Sequence, residues 1–155
     1  MTESTAPSPP TSIDSFYADE YDGQLRRAYL MLGDRGAAHD AVHDAFAAVL
    51  ARWDVLDAPG PYLNRCVLNA CRDRANADAR TTVGPVPELT VATSSLRIEL
   101  WELLDELPFR QRAALVLRYY EGHTEREIAE LLDVRPGTVG PLITRGLRRL
   151  RRSLR

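Results

Sequence analysis

Arg145, Arg148, Arg149, Arg151 and Arg152 follow directly on an apolar stripe of Val139, Leu142 and Ile143. A guanidinium is permanently charged and presents its donors in a planar fork, which suits phosphate oxygens. The stretch leading into these arginines, TEREIAELLDVRPGTVGPLITR (Thr124 to Arg145), reads as helix, tight turn, helix. Thr124 and Glu127 make a capping box, each side chain covering an orphan backbone N–H at a helix start. Ile128, Ala129, Leu131 and Leu132 give that helix an apolar face, and Asp133-Val134-Arg135 is the turn, with Val134 plugging the angle. Pro136 suits the first position of the second helix, where its missing N–H would be unpaired anyway. A helix-turn-helix lays its second helix in the DNA major groove, and a basic flank supplies phosphate contacts. An ordinary helical hairpin with a solvated basic tail is the plainer reading of the same residues.

Two further constellations carry polar chemistry. Asn64, Arg65, Asn69, Arg72, Asp73 and Arg74 lie on one predicted helix with Tyr62 beside them. Amides and guanidinium groups hydrogen-bond base edges and phosphates, and an aromatic ring can stack a base. An amphipathic helix with a wet face is the alternative, and the residues alone leave both open. His39, Asp40, His43 and Asp44 share another helix face. A His-x-x-x-His pair can hold a metal ion, but no third strong ligand and no zincin-type Glu accompanies it. That face reads as polar and partner-facing, and neither a metal nor a cofactor is expected. No Gly-rich phosphate loop and no Ser/His/Asp or Cys/His set is present, and His123 reads as an isolated surface residue beside a turn. The chain is not expected to be an enzyme.

The elements that must position these groups are all helical. At 155 residues the chain can form one or two small domains. It has no apolar run long enough to span a bilayer, and Met1 to Thr11 lacks the regions of a signal peptide, so a cytoplasmic protein is expected. Cys66 and Cys71, five apart on a helix, point to different faces and suit reduced core thiols. All 20 basic residues are Arg. Residues 1–95 hold 8 Arg against 13 Asp and Glu, and residues 96–155 hold 12 against 9. An acidic front half points to a protein partner and a basic back half to nucleic acid.

Taken in order, residues 1–12 are Pro-, Ser- and Thr-rich and read as a disordered tail. A helix is expected from about Ile13 to Leu32, with Phe16, Tyr17, Tyr21, Leu25, Ala28, Tyr29 and Leu32 at helical spacing. A second runs from about Gly36 to Trp53, with Val42, Ala45, Phe46, Val49, Leu50 and Trp53 on one face. Asp57 to Pro61 reads as a loop, and a third helix from about Pro61 to Asn76 turns Tyr62, Leu63, Cys66, Val67 and Ala70 inward. Residues 77–95 lose the helical period and read as a linker. From Leu96, one helix runs to Pro108 and a strongly apolar one follows to Glu121-Gly122, before the helix-turn-helix. The fold expected is all-α: a domain at 13–76 and another at 96–155, joined by a flexible linker, the second carrying the helix-turn-helix.

Two segments together go beyond a generic helix-turn-helix. LDELPFRQRAALVLRYYEGHTEREIAELLDVRPGTV, Leu104 to Val139, resembles the promoter-reading C-terminal domain of bacterial RNA polymerase sigma factors. LMLGDRGAAHDAVHDAFAAVLARWD, Leu30 to Asp54, resembles the polymerase-binding helices of the N-terminal sigma domain. PGPYLNRCVLNACRDRAN, Pro59 to Asn76, is similar to the helix that reads the −10 element. Their order and the short linker are those of the extracytoplasmic-function (ECF) group of the sigma-70 superfamily. The resemblance implies that the second helix docks on core RNA polymerase through Asp40 and Asp44. It implies that the third helix holds the −10 strand, with Asn64, Arg65, Asn69 and Arg72 as the contact candidates. It further implies that Arg118 touches phosphate and that Arg145 faces the −35 element. The partners implied are core RNA polymerase and promoter DNA, without membrane insertion. Anti-sigma factors hold many members of the family inactive, so one is a further partner open to this chain. The competing reading is a helix-turn-helix regulator acting without core polymerase, or a sigma-like protein diverted from promoter reading, which Gly140 and Pro141 keep open.

One departure falls on the recognition helix. The family usually has a basic residue and then a polar one after the Thr-Val, where this chain has Gly140 and Pro141. Pro141 would be the sixth helical residue, lacking the N–H owed to the Gly137 carbonyl. Pro inside a helix costs about 3 kcal/mol and Gly about 1 kcal/mol relative to Ala. The expectation is a helix kinked there or starting only at Pro141. Asp133 stands where the family often has Gly, although Asp tolerates a left-handed backbone. Promoter readout at −35 should then differ from the family's and rest on Arg135, Thr138, Thr144 and Arg145.

Overall fold

The computed structural model describes residues 12–78 and 102–154, and among them there is no strand. Helix α1 spans Ile13–Leu32. Ser12 caps its start, its hydroxyl accepting from the Ser15 N–H at 3.2 Å. At its end Gly33, at φ 72°, donates its N–H to the Tyr29 carbonyl. That left-handed turn is open to Gly at no steric cost. Asp34 then caps α2, Arg35–Ala51, by accepting from the Gly36 N–H at 2.9 Å. A single 3-10 turn at Trp53–Val55 leads to α3, Pro59–Asp78.

These three helices share one core. Helix α2 contributes Ala38, Ala41, Val42, Ala45, Phe46 and Val49, against Phe16, Ala28 and Met31 of α1 and Leu63, Val67, Leu68 and Cys71 of α3. Phe16 meets Phe46 edge-on with ring centroids 6.1 Å apart and lies 5.4 Å from the Trp53 ring. Two boundaries differ from expectation. Helix α2 ends at Ala51, two residues short of Trp53, and Leu50, about 100° round the helix from buried Val49, is 60% exposed instead of inward. Helix α3 begins at Pro59, so Pro59-Gly60-Pro61 is helix and not loop. Both prolines fall in its first turn, where no backbone N–H has an intrahelical acceptor, so the fixed φ helps and nothing is lost.

In the second half, residues 102–105 are helical and Leu104 and Leu107 are buried. Helix α4, Phe109–Leu115, widens into a π turn at Val116–Tyr120. There Glu121 donates its N–H to the Val116 carbonyl at 3.2 Å and Gly122 reverses the chain at φ 75°. Helix α5 spans Glu125–Leu132 and α6 spans Pro136–Ser153. Ile128, Ala129 and Leu132 of α5 and Val139, Leu142 and Ile143 of α6 close over Ala113 to Leu117.

Helix α6 runs uninterrupted from Pro136 through Pro141. The expected late start at Pro141 does not occur. Only one backbone bond is forfeited, at the Gly137 carbonyl, and Gly137 is exposed so water can take its place. Fully buried Val139 anchors the first turns on the core, and that packing outweighs propensity.

The two halves touch through buried arginines. Arg112 of α4, though charged, is buried; its Nη1 donates to the Met31 carbonyl of α1 at 2.5 Å and its Nη2 to the Leu107 carbonyl at 2.9 Å. Arg27 of α1, 3% exposed, reaches Glu121 and the Asn64 carbonyl. Burial lowers the pKa of both guanidinium groups, partly countered by Glu121 at Arg27 and by Asp105 at Arg112. Cys66 and Cys71 are free thiols. Burial raises both pKa values, that of Cys71 to about 12. No helix among the described residues is long and apolar enough to cross a membrane. Of the tail expected at 1–12, Ser12 instead caps α1; residues 1–11, most of the 77–95 linker and residues 96–101 of the helix expected from Leu96 lie outside the described residues.

Candidate nucleic-acid interface

The helix-turn-helix is assembled as its sequence dictates. The Thr124 hydroxyl accepts from the Glu127 N–H at 3.2 Å. The side-chain hydrogen bond to His123, with further bonds to Thr124, holds the Glu127 carboxyl below the usual carboxylate range. Asp133 takes the left-handed turn at φ 53°, ψ 49°, the only non-glycine with positive φ among the described residues. Val134 then donates its N–H to the Ala129 carbonyl at 3.0 Å and packs against the core, fixing the angle between α5 and α6.

Helix α6 is held in rotation by what it buries. Gly146 sits so close to α4 that a Cβ there would stand 2.9 Å from Leu115 Cδ1. With Val139, Leu142, Ile143 and Gly146 inward, the outward face carries Gly137, Pro141, Thr144, Arg145 and Arg148, all exposed. Gly140, Pro141, Thr144, Arg145 and Arg148 line a shallow depression on that face. Arg135 is exposed at the N-cap and Thr138 half-buried in the first turn. Arg118, exposed on the π turn, donates to the His123 carbonyl at 2.9 Å, so this guanidinium is fixed in place beside the helix-turn-helix. The surface therefore offers a permanently charged row for phosphates and a central uncharged step.

Helix α3 divides the four candidates placed on it. Arg65 is exposed, and Asn69 and Arg72 are half-buried, with Arg72 Nη2 donating to Asn69 Oδ1 at 3.3 Å. At roughly 100° per residue these three fall within one stripe. Asn64 falls between Leu68 and Cys71 on the buried side, and its Oδ1 accepts from Gln24 Nε2. Its carbonyl accepts from Arg27 at 3.1 Å. The structure thus keeps Arg65, Asn69 and Arg72 together and sets Asn64 apart as a strut to α1. At the entrance to α3, the Arg52 guanidinium stands 5.5 Å over the Tyr62 ring.

On α2, Asp40 and Asp44 are both exposed, and Asp44 Oδ2 pairs with Arg74 Nη2 at 2.6 Å. The neighbouring histidines are engaged by Tyr21, whose hydroxyl lies 2.7 Å from His39 Nδ1 and 3.5 Å from His43 Nε2. No group of three or more metal-ligating side chains exists among the described residues. His123 is not isolated: Nδ1 lies 2.7 Å from Glu127 and Nε2 2.9 Å from Glu121. Sequence reasoning missed Gln24, Arg27 and Arg112, because polar residues inside helices carry no local signal of burial, and Glu121, whose partner Arg27 is distant in sequence.

Comparison with known proteins meets this geometry on both halves. The sigma-70 region 2 family matches residues 17–81 and the sigma-70 region 4 family matches residues 97–150. The RNA polymerase sigma-E factor of Streptomyces coelicolor is 29% identical over 92% of this chain and 85% of its own length. The ECF RNA polymerase sigma factor SigM of Mycobacterium tuberculosis is 32% identical over 76% of this chain and 64% of its own. Among solved structures, the sigma factor RpoE of Bartonella quintana, in complex with the anti-sigma factor NepR, superposes with a TM-score of 0.73. It is 18% identical, covering 91% of this chain and 95% of that one, a likeness of fold.

Proposed function

We propose how this chain works from one premise: it belongs to the sigma-70 family of RNA polymerase sigma factors, in the ECF group. It directs promoter-specific transcription initiation, and the proposal concerns which residues do so. Residues 13–76 form the unit that binds core polymerase and the −10 element, 77–95 the linker, and 96–155 the unit that reads the −35 element. Asp40 and Asp44 meet the polymerase. Their exposure on α2 supports this, and Arg74 beside Asp44 adds a cation that docking must displace or share.

Arg65, Asn69 and Arg72 hold the opened −10 strand, using exposed guanidinium and amide groups on one stripe. Asn64 joins them only if its bonds to Gln24 and Arg27 release. At −35, Arg135, Thr138, Thr144 and Arg145 face the groove and Arg118 and Arg148 take phosphates. The chain acts as an initiation factor in the cytoplasm, where polymerase and promoter are, and an anti-sigma factor would cover these same faces.

The single observation that carries the reading is the outward face of α6, an arginine-edged recognition helix held in rotation by the Gly146–Leu115 contact. The test is run-off transcription on a genomic fragment pool, with core RNA polymerase alone and with this protein added. Defined new start sites are expected. Binding to core without new starts would reject promoter reading, and no binding to core would leave only a DNA-binding regulator.

A further inference from the structure

We infer that Pro141 is a specificity-determining residue that reads a thymine methyl group in the −35 element. The inference rests on the sigma-factor reading and goes beyond it to one base. Pro141 is exposed in the centre of the outward face of α6, in the N-terminal third that a helix-turn-helix inserts in the major groove. Neither Gly140 nor Pro141 carries a hydrogen-bonding side chain, so this step cannot read the donors and acceptors of a base edge. It can read the one apolar feature in the major groove, the C5 methyl of thymine.

The fold gives no other reason for these residues. Pro141 is absent from the core, and a Cβ on Gly140 would meet nothing nearer than the Glu125 carboxylate at 3.8 Å, an ordinary contact. Two poor helix formers therefore occupy neighbouring helical positions, Gly140 partly buried and Pro141 exposed, where packing does not require them. What they provide is a smooth apolar step, with a bare backbone at Gly140 that lets a base edge come close. One turn on, Thr144 and Arg145 supply the polar contacts. The arrangement is a hydrocarbon reader framed by hydrogen-bond donors.

The test uses holoenzyme assembled from core polymerase and the full chain. Run-off transcription first defines the promoter set, which decides the sigma-factor reading independently of any thymine. On a selected promoter, each −35 thymine is then replaced singly by deoxyuridine, which removes only the methyl. Wild-type holoenzyme should bind one substituted site about fourfold more weakly, the factor for burying one methyl-sized group. Pro141→Ser, which removes a proline from a helix and should fold at least as well, should bind thymine and deoxyuridine sites alike. Equal affinity at every substituted site, a −35 motif without thymine, or undiminished sensitivity in Pro141→Ser would overturn the inference while leaving the sigma-factor reading intact. Failure of run-off transcription would overturn both.

Discussion

The Nε of Arg27 lies 2.6 Å from Oε1 of Glu121, so a buried cation of α1 meets its counter-charge at the end of the π turn in the other half of the molecule. The N–H is not aligned with that oxygen, so the contact is a charge pair rather than a hydrogen bond. A buried guanidinium needs such a partner, because removing one member strands the other in a poorly solvating site. Glu121→Gln should lower stability by about 1–3 kcal/mol, and Arg27→Met combined with Glu121→Gln should recover much of that loss. Urea denaturation of the two single variants and the double variant measures the coupling. Additive losses would show that the pair contributes nothing of its own.

Arg112 should be less replaceable than Arg27. It bonds two carbonyls from separate segments, Met31 and Leu107, and α1 has no basic residue in its own last turn to cover its free carbonyls. Arg112→Met keeps much of the packing but orphans both oxygens. A loss of about 2–4 kcal/mol is expected, with the two halves becoming more separated in small-angle scattering. A compact profile in the variant would remove Arg112 from this role.

The Cys71 thiol gives alkaline pH a handle. Its folded pKa is pushed up to about 12 from an ordinary 9.0, with burial as the first cause. Above pH 9 the unfolded chain ionises this thiol while the folded chain keeps its proton, so the unfolded state gains. Stability should fall by about 1.4 kcal/mol per pH unit from pH 9 towards 12 on this account. Cys71→Ala should flatten the slope, in thermal melts recorded across that range. An unchanged slope would assign alkaline unfolding to other groups.

Substitutions at Gly146 should separate helix propensity from packing. Ala gains about 1 kcal/mol of propensity but presses on the Leu115 side chain, so the net change should lie within about 1 kcal/mol of zero. Val adds bulk against the same neighbour, and a loss of about 1–3 kcal/mol is expected. Thermal unfolding compares them directly. A Val variant as stable as wild type would mean that α4 and α6 do not pack this closely.

Arg148 faces outward beside the recognition step and should act on phosphate alone. For Arg148→Ala, holoenzyme binding should weaken on all promoters to a similar degree. The slope of log K against log salt should become shallower by about one. A loss confined to one promoter sequence would instead assign Arg148 to a base.

Much of this architecture is legible in the chain. The capping box at Thr124, the turn at Asp133 and the buried spacing of Val139, Leu142 and Ile143 are local signals, and local signals survive into the structure. The start of α3 is hidden because Pro-Gly-Pro is loop chemistry in most contexts, yet both prolines fit a first helical turn. The π turn at Val116–Tyr120 leaves the apolar run unchanged, so periodicity cannot announce it. On α3, residue types single out Asn64 with Arg65, Asn69 and Arg72, but local spacing could not see that Asn64 turns towards Gln24. That bond joins residues 40 positions apart.

The two ties between the halves also differ in how they can vary among descendants of this sequence. Arg27 and Glu121 are written in two side chains, and either can change if the other compensates, leaving a correlated pair of positions. The Arg112 tie is written in one, because its acceptor on residue 31 is a main-chain oxygen that almost any residue supplies. Position 31 can drift freely within its apolar pocket while position 112 stays fixed. Correlated substitutions would therefore report one of these contacts and remain silent on the other.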